Sequence, residues 1–431
     1  MAAYNTISDF CQVVGMKQIY IRGGVPLTGE VRIQGSKNAA LPVLAATILA
    51  KGEHEIKNCP KIADVYCMLD LLATLGARFF WQGRNLYVDT TNLTPTPFYE
   101  KKESTMRSSV FLLGAMLGRF GEVDIEYPGG CIIGDRPVDW HILHLNQMGA
   151  IFCDSSTRIT AKTTELIGKE HFLTFPSVGV TENIILAAVL AKGTTVIHNA
   201  AREPEIVTLC EFLNLAGAKI TGEGKKDITI EGVTSLHSAS ITLPGDRIVA
   251  GTYALACMIT GGSVLLEGAP VSQMARLIPL IHAMGGNTVA MDDGLYLHRK
   301  EALASIPYTV TEVYPGFPTD LQSPLMATLC VASGDSVIEE RIFGNRFRIV
   351  PELKKMGANI YVDGHMAYIH GIKKLKGTTI VAEELRGGAA LVLAGLQASG
   401  ETYIEQCGHI YRGYENICRD LSELGARIHG E

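Results

Sequence analysis

Leu75-Gly76-Ala77-Arg78 closes one helix-like stretch and opens a strand-like one. The same joint returns at Met148-Gly149-Ala150-Ile151, Ala216-Gly217-Ala218-Lys219, Met284-Gly285-Gly286-Asn287, Met356-Gly357-Ala358-Asn359 and Leu424-Gly425-Ala426-Arg427. These glycines are 73, 68, 68, 72 and 68 residues apart. A second series, Gly52, Gly121, Gly193, Gly262, Gly334 and Gly400, keeps the same phase, each following an apolar run and preceding a strand-like one. Two interleaved series at one period mark six copies of a single supersecondary unit.

The order of elements within a unit follows from periodicity. In the first, Ala39 to Ala50 reads as an apolar helix, Gly52 ends it, and His54-Glu55-Ile56 starts a strand. Val65, Met68, Leu69 and Leu72 then fall on one face of an amphipathic helix. Gly76 caps that helix, because a residue without Cβ accepts the left-handed conformation. Arg78 to Trp81 and Asn85 to Val88 form a hairpin around Gly83, so the unit is βαβαββ. Ile184 to Leu190, Ala254 to Ile259 and Leu391 to Leu396 are apolar nearly all round, which places these helices inside and the sheets outside.

At 431 residues the chain exceeds one ordinary core, so two domains of three units each are expected. The first covers 35–244. The second joins 17–34 to 245–431, because Gln18 to Arg22 and Val31 to Gln34 read as two strands outside the first three units. Residues 1–16 form an N-terminal extension. The chain then crosses between domains twice, and the cleft between them is the expected ligand site.

Hydrophobic residues make up 47% and charged ones 19%, which excludes a disordered chain. No apolar run reaches the roughly 18 residues of a membrane span. Met1 to Gly15 lacks a basic cluster before an apolar core and does not read as a secretory signal. Ten cysteines without paired spacing suit a reducing compartment, so a soluble cytoplasmic protein is expected, with no membrane partner. The formal charge of −6 argues against nucleic acid as a general partner. Anionic ligands would need a local cluster of Arg and Lys.

Four polar segments interrupt the repeats. Gly35-Ser36-Lys37-Asn38-Ala39 offers a helix N-terminus and a cation to an anion, and also reads as an N-cap serine with an exposed lysine. Pro128 to Asp139 is a Gly- and Pro-rich loop carrying Cys131, with Arg136 close enough to favour a thiolate. By contrast Cys67, Cys210, Cys257, Cys330 and Cys418 lie in helix-like runs and read as core packing. In Phe317-Pro318-Thr319-Asp320-Leu321-Gln322 the carboxylate of Asp320 is either an N-cap or a general base. Arg107, Arg346, Arg386 and Arg412 stand at matching joints of different units, where guanidinium forks suit phosphate and carboxylate.

Taken together, Gly35 to Pro42, the Gly129-Gly130-Cys131 loop ending in Arg136-Pro137-Val138-Asp139, Ala201 to Val207, Phe317 to Asp320 and Arg412-Gly413-Tyr414-Glu415 resemble the UDP-N-acetylglucosamine enolpyruvyl transferases, or 1-carboxyvinyltransferases. The resemblance runs from about Lys17 to the end and implies the family's two-domain inside-out α/β barrel of six units. It implies transfer of the enolpyruvyl group of phosphoenolpyruvate to the 3-hydroxyl of UDP-N-acetylglucosamine with release of phosphate. That reaction is the first committed step of peptidoglycan synthesis, and the family uses no cofactor or metal. Carried over by motif, Lys37, Asn38, Arg136, Arg386 and Arg412 would hold phosphoenolpyruvate. Asn38, Arg107, Arg136, Pro137, Val138, Asp139, Trp140, Ser177, Val178, Gly179, Asp320 and Ile342 would hold the sugar nucleotide. Cys131, Asp320, Lys37 and Arg412 would be the catalytic set: Asp320 takes the hydroxyl proton, and Cys131 is the candidate acid that protonates the methylene carbon. Addition gives a tetrahedral ketal, and elimination of phosphate restores the vinyl ether.

The pattern departs from the family at Glu384, where Asp is usual, at Phe175, where some members carry Lys, and at Tyr411, where Asp is common. Two other readings stand beside it. One is transfer to shikimate 3-phosphate, which would want Ser-Lys-Ser with a following Arg where this chain has Lys37-Asn38-Ala39. The other is a sugar-nucleotide-binding paralogue without turnover.

Overall fold

The computed structural model describes residues 18–96, 107–127, 138–154 and 157–431. The N-terminal extension expected over 1–16 lies outside them. All twelve glycines of the two series adopt positive φ, +89° to +104° in the first and +71° to +128° in the second. The repeat is therefore written in backbone conformation: left-handed φ is cheap only for glycine, so the chain places one at each helix-to-strand joint.

The described residues divide into two compact units, one within 35–244 and the other made of 18–34 with 245–431. The third repeat of the first unit displays the pattern. Strand Glu170–Phe172 leads through helix Val178–Ala188 to strand Thr194–His198, and the two strands pair in parallel. Helix Pro204–Leu215 follows, then strands Lys219–Thr221 and Asp227–Glu231, which pair antiparallel. Asp227–Glu231 also lies antiparallel to Thr194–His198, which completes a four-stranded βαβαββ sheet.

Each unit holds three sheets. In the first unit, the strand that opens the first repeat is Ser240–Thr242, parallel to Glu53–Lys57. In the second, Leu27–Arg32 opens the first sheet, parallel to Gly262–Glu267. Gln18–Arg22 inserts between Glu401–Glu405 and Arg427–Gly430, antiparallel to both. The N-terminal segment thus starts one sheet of the second unit and completes another. Its second strand lies earlier than the expected Val31 to Gln34. Thr28, Gly29 and Glu30 are all exposed, so the strand shows no apolar alternation, and its parallel ladder fixes it instead. Among the described residues the sheets are separate ladders and not one closed hydrogen-bonded cylinder.

Helices Lys37–Ala46, Leu112–Phe120 and Val178–Ala188 are largely buried in the first unit, as are Arg247–Thr260, Gln322–Leu329 and Leu385–Gln397 in the second. Side chains on all faces of these helices meet other protein, hence their apolar character all round. Close approach needs small residues. A Cβ on Gly114 would sit 2.3 Å from the Asn183 carbonyl oxygen, and Asn183 seals that crossing by accepting from the Gly114 N–H at 2.7 Å and donating to the Val110 carbonyl at 3.0 Å. The amphipathic helix Ala63–Thr74 turns Val65, Met68, Leu69 and Leu72 inward as its spacing requires. Burial of each contributes about 1.5–3 kcal/mol. Of the cysteines assigned to packing, Cys210, Cys257, Cys330 and Cys418 are buried, while Cys67 is half-buried against the core. Burial pushes the Cys257 and Cys330 thiols up to about 12, which keeps them unreactive.

Candidate active site

In the first unit, Ser36 caps helix Lys37–Ala46, its hydroxyl accepting from the Ala39 N–H at 3.3 Å. The cap aims the next two side chains. Lys37 is not an exposed surface lysine: its Nζ lies 3.1 Å from Asp64 Oδ2, with 13% of the lysine and 4% of the aspartate side chain accessible. Asn38 donates from Nδ2 to Glu205 Oε1 at 3.3 Å. Glu205 stands in the first turn of helix Pro204–Leu215, beside the fully buried Glu182 of the neighbouring helix. Burial, reinforced by Glu205 and Glu203, holds the Glu182 carboxyl well above the ordinary range.

A second group of candidates gathers at two helix N-termini of this unit. Val138 is buried and precedes helix Asp139–Gln147, whose first residues Asp139 and Trp140 are exposed. Ser177 caps helix Val178–Ala188, accepting from the Val180 N–H at 3.5 Å, with Val178 and Gly179 in its first turn. A Cβ on Gly179 would lie 3.2 Å from His141, so the two helices meet there. Trp140 and Phe175 hold their ring centroids 6.4 Å apart. Paired helix N-termini of this kind favour an anion. Arg107 opens the short 3-10 stretch Arg107–Phe111, and Phe111 lies against the same Gly179. The side chain of Arg107 and all of Cys131, Arg136 and Pro137 lie outside the described residues.

In the second unit the arginine joints converge on one carboxylate. Asp320 caps no helix; the 3-10 turn Thr319–Leu321 starts after Pro318 without a side-chain cap. Its Oδ1 accepts from Arg346 Nη2 at 2.5 Å and its Oδ2 from Arg386 Nη2 at 3.0 Å. Both guanidinium groups are buried, at 2% and 3% side-chain exposure, whereas Asp320 keeps 24%. Burial alone would push the Arg386 guanidinium down, but the charge of Asp320, with Tyr414 and Asp246, outweighs it and holds Arg386 above the ordinary arginine value. Arg386 Nη1 is buried and has no hydrogen-bond partner among the described residues. A buried donor of this kind is costly unless an acceptor arrives.

The surroundings of this pair are tightly specified. Arg346 Nε donates to Thr319 Oγ1 at 3.1 Å, Thr319 Oγ1 donates to Glu340 Oε2 at 2.9 Å, and the Ile342 N–H donates to Glu340 Oε1 at 2.8 Å. Glu384, one methylene longer than the usual Asp, caps helix Leu385–Gln397 by accepting from the Arg386 and Gly387 N–H groups. It thereby fixes the backbone from which Arg386 springs. Arg412 is half-buried and ends the 3-10 stretch Cys407–Arg412. Tyr411 is buried, its hydroxyl 3.8 Å from Cys418 Sγ, so it packs into the core in place of a carboxylate.

The structure therefore brings Asp320 and Arg386 together, links the Ile342 backbone to them only through Glu340 and Thr319, and adds Arg346, which the sequence offered only as one of four arginines. Asp64 and Glu205 gave no sequence signal as partners of Lys37 and Asn38, because their contacts are made across 27 and 167 residues.

A family profile described as EPSP synthase (3-phosphoshikimate 1-carboxyvinyltransferase) matches residues 21–421. Proteins named UDP-N-acetylglucosamine 1-carboxyvinyltransferase are similar along nearly the whole chain. That of Nitratidesulfovibrio vulgaris strain DP4 is 43% identical, with 96% of this chain and 100% of the relative covered. That of Desulfovibrio desulfuricans is 44% identical at the same coverage, and one from Halalkalibacterium halodurans, numbered 1, is 44% identical, with 96% and 94% covered. Among solved structures, the enolpyruvyl transferase NikO from Streptomyces tendae shares the fold at a TM-score of 0.87 and 24% identity, covering 96% of this chain and 99% of its own. An EPSP synthase from Acinetobacter baumannii does so at 0.75 and 18%, covering 96% and 100%.

Proposed function

The chain belongs to the EPSP synthase family of carboxyvinyl (enolpyruvyl) transferases, and from that premise we propose that it transfers the enolpyruvyl group of phosphoenolpyruvate to the 3-hydroxyl of UDP-N-acetylglucosamine, releasing phosphate. The likeness over 96% of the chain to transferases bearing that name carries the reading. The shikimate acceptor is disfavoured, since the solved EPSP synthase is only 18% identical, whereas the relatives named above at 43–44% identity bear the name of the sugar nucleotide. On this reading the product is committed to peptidoglycan and the enzyme works in the cytoplasm. No helix among the described residues is long and apolar enough to cross a membrane.

Under this reading Lys37, Arg136 and Arg412 hold the phosphate of phosphoenolpyruvate and Arg386 its carboxylate. The partnerless Nη1 of Arg386 supports that role, because an arriving carboxylate would satisfy it. Asp320 accepts the proton of the attacking 3-hydroxyl. Its bonds to Arg346 and Arg386 fix its orientation, and its exposed remainder is the part open to substrate. Cys131 protonates the methylene carbon as the C–O bond forms, giving the tetrahedral ketal, and loss of phosphate together with a proton from the new methyl group restores the vinyl ether. Asn38, the helix N-termini at Val138 to Trp140 and Ser177 to Gly179, Arg107, Pro137 and Ile342 hold the sugar nucleotide. Fixed cations around two anionic substrates supply electrostatic stabilisation without reorganisation.

Phosphate release from phosphoenolpyruvate, assayed with UDP-N-acetylglucosamine beside shikimate 3-phosphate, tests the reading. Release with the sugar nucleotide alone, strongly reduced in Cys131→Ser, is expected. Binding of the sugar nucleotide without release would make the protein a non-catalytic paralogue.

A further inference from the structure

Gln34 is the last residue of the second unit before the chain enters the first at Gly35, and it lies within no strand or helix. A glutamine at such a crossing would ordinarily face water. This one is 3% exposed, and both ends of its carboxamide are bonded. Nε2 donates to the Gly413 carbonyl at 3.1 Å, and Oε1 accepts from the Glu415 N–H at 2.8 Å. Its own carbonyl accepts from the N–H of Asp246, the residue that caps helix Arg247–Thr260, at 2.8 Å. The amide orientation is unambiguous, because a backbone carbonyl can only accept and a backbone N–H can only donate.

The two bonds bracket Tyr414 as a neighbouring strand would, fixing the backbone on both sides of it. Tyr414 is fully buried, its hydroxyl 2.8 Å from Thr252 Oγ1, and its ring lies 6.0 Å from the Arg386 guanidinium. Gly413 abuts the same arginine: a Cβ there would be 3.5 Å from Arg386 Nη1 and 2.9 Å from Leu385. Arg412 is the residue immediately before this bracket.

We infer that Gln34 is a positioning residue for phosphoenolpyruvate: by clasping Gly413 and Glu415 it aims Arg412 through the chain and walls Arg386 through Gly413 and Tyr414. The inference rests on the proposed roles of Arg386 and Arg412. Gln34 contacts neither substrate in this account. It acts on two cations that both serve the same one.

The test uses the full-length protein with Gln34→Leu, which keeps volume and loses both bonds, and Gln34→Glu, which keeps the acceptor and loses the donor. In Gln34→Leu we expect KM for phosphoenolpyruvate to rise about tenfold, with KM for UDP-N-acetylglucosamine within twofold of wild type. Gln34→Glu should fall between. Amide hydrogen exchange at Glu415 should quicken at least tenfold in Gln34→Leu and less in Gln34→Glu. Equal rises in both KM values, or a lowered melting temperature with both KM values unchanged, would overturn the positioning role. Unchanged exchange at Glu415 in Gln34→Leu would overturn the clasp itself. Should Gln34→Leu fail to fold, Gln34→Glu carries the same comparisons. A wild-type protein that does not turn over these substrates would sink the functional reading, while exchange at Glu415 would still decide the clasp.

Discussion

Replacing Arg346 by Met removes a guanidinium but keeps most of the buried stem. Three polar interactions go, the 2.5 Å bond to Asp320, the 3.1 Å bond to Thr319 and the 3.8 Å approach to Glu384, together with the guanidinium's place 5.4 Å from the Phe343 ring. A hydrogen bond to a charged group contributes about 1.5–3 kcal/mol. Arg346 is only 2% exposed, but Asp320 keeps 24% and regains water when the arginine leaves, so the lower end applies. Adding about 1 kcal/mol for Thr319 and nothing for the long contact gives a loss of about 2.5 kcal/mol. For a unit of this size that lowers the melting temperature by about 5–10 °C. Asp320 also loses one of the two guanidinium contacts that orient it, so under the proposed role kcat should fall at least tenfold, within the range of a general base. Arg346→Lys, which keeps charge without the fork, should be intermediate. The measurements are calorimetric melting and phosphate release. A shift under about 2 °C together with kcat within twofold of wild type would refute the claim that Arg346 holds Asp320.

Glu182→Gln should be neutral at low pH and increasingly stabilising above it. Because the folded-state pKa of Glu182 is raised, the native protein retains a proton that the unfolded chain releases above the ordinary glutamate value of 4.5, so wild-type stability falls as pH rises from there. The melting-temperature difference between variant and wild type should therefore grow from pH 5 to pH 8, and a constant difference would contradict it. His171 behaves oppositely: burial, with His144, lowers it to about 4, so stability is lost as pH falls from 6.5 towards that value, and His171→Gln should lose less over the same window in acid-unfolding curves. Gly357 and Gly371 separate conformation from space. A Cβ on Gly357 meets nothing within 4 Å, so Gly357→Ala should cost only the left-handed penalty of about 1–2 kcal/mol in denaturant titration. A Cβ on Gly371 would lie 1.7 Å from the Ala332 carbonyl oxygen, so Gly371→Ala should cost several times more; equal costs would show that the backbone yields there.

Much of the fold was legible because its signals are local. A glycine at positive φ, an apolar face at helical spacing and a hairpin around Gly83 each depend on residues close in sequence, and the sixfold repeat multiplied every such signal. The strand Leu27–Arg32 was misplaced because three consecutive exposed residues hide its alternation, and its partner Gly262–Glu267 lies more than 200 residues away. The candidate site was legible as residue types. Lys37, Asp320 and the arginines stood out by their place in segments that break the repeat.

The sequence by itself determined the repeated βαβαββ unit, the division near residue 244 and the polar segments that interrupt the repeats, since these follow from backbone sterics and periodicity. Only the tertiary structure decided that Asp320 is held by two arginines and caps no helix, that Lys37 is paired with Asp64, and that Glu384 anchors the helix bearing Arg386. It also showed Gln34 gripping residues some 380 positions away. The physical reason is that a carboxylate beside a helix, a lysine after a cap and a glutamine in a linker look alike in sequence whether they face water or a partner. Burial and the approach of distant segments distinguish them, and those are properties of the packed chain.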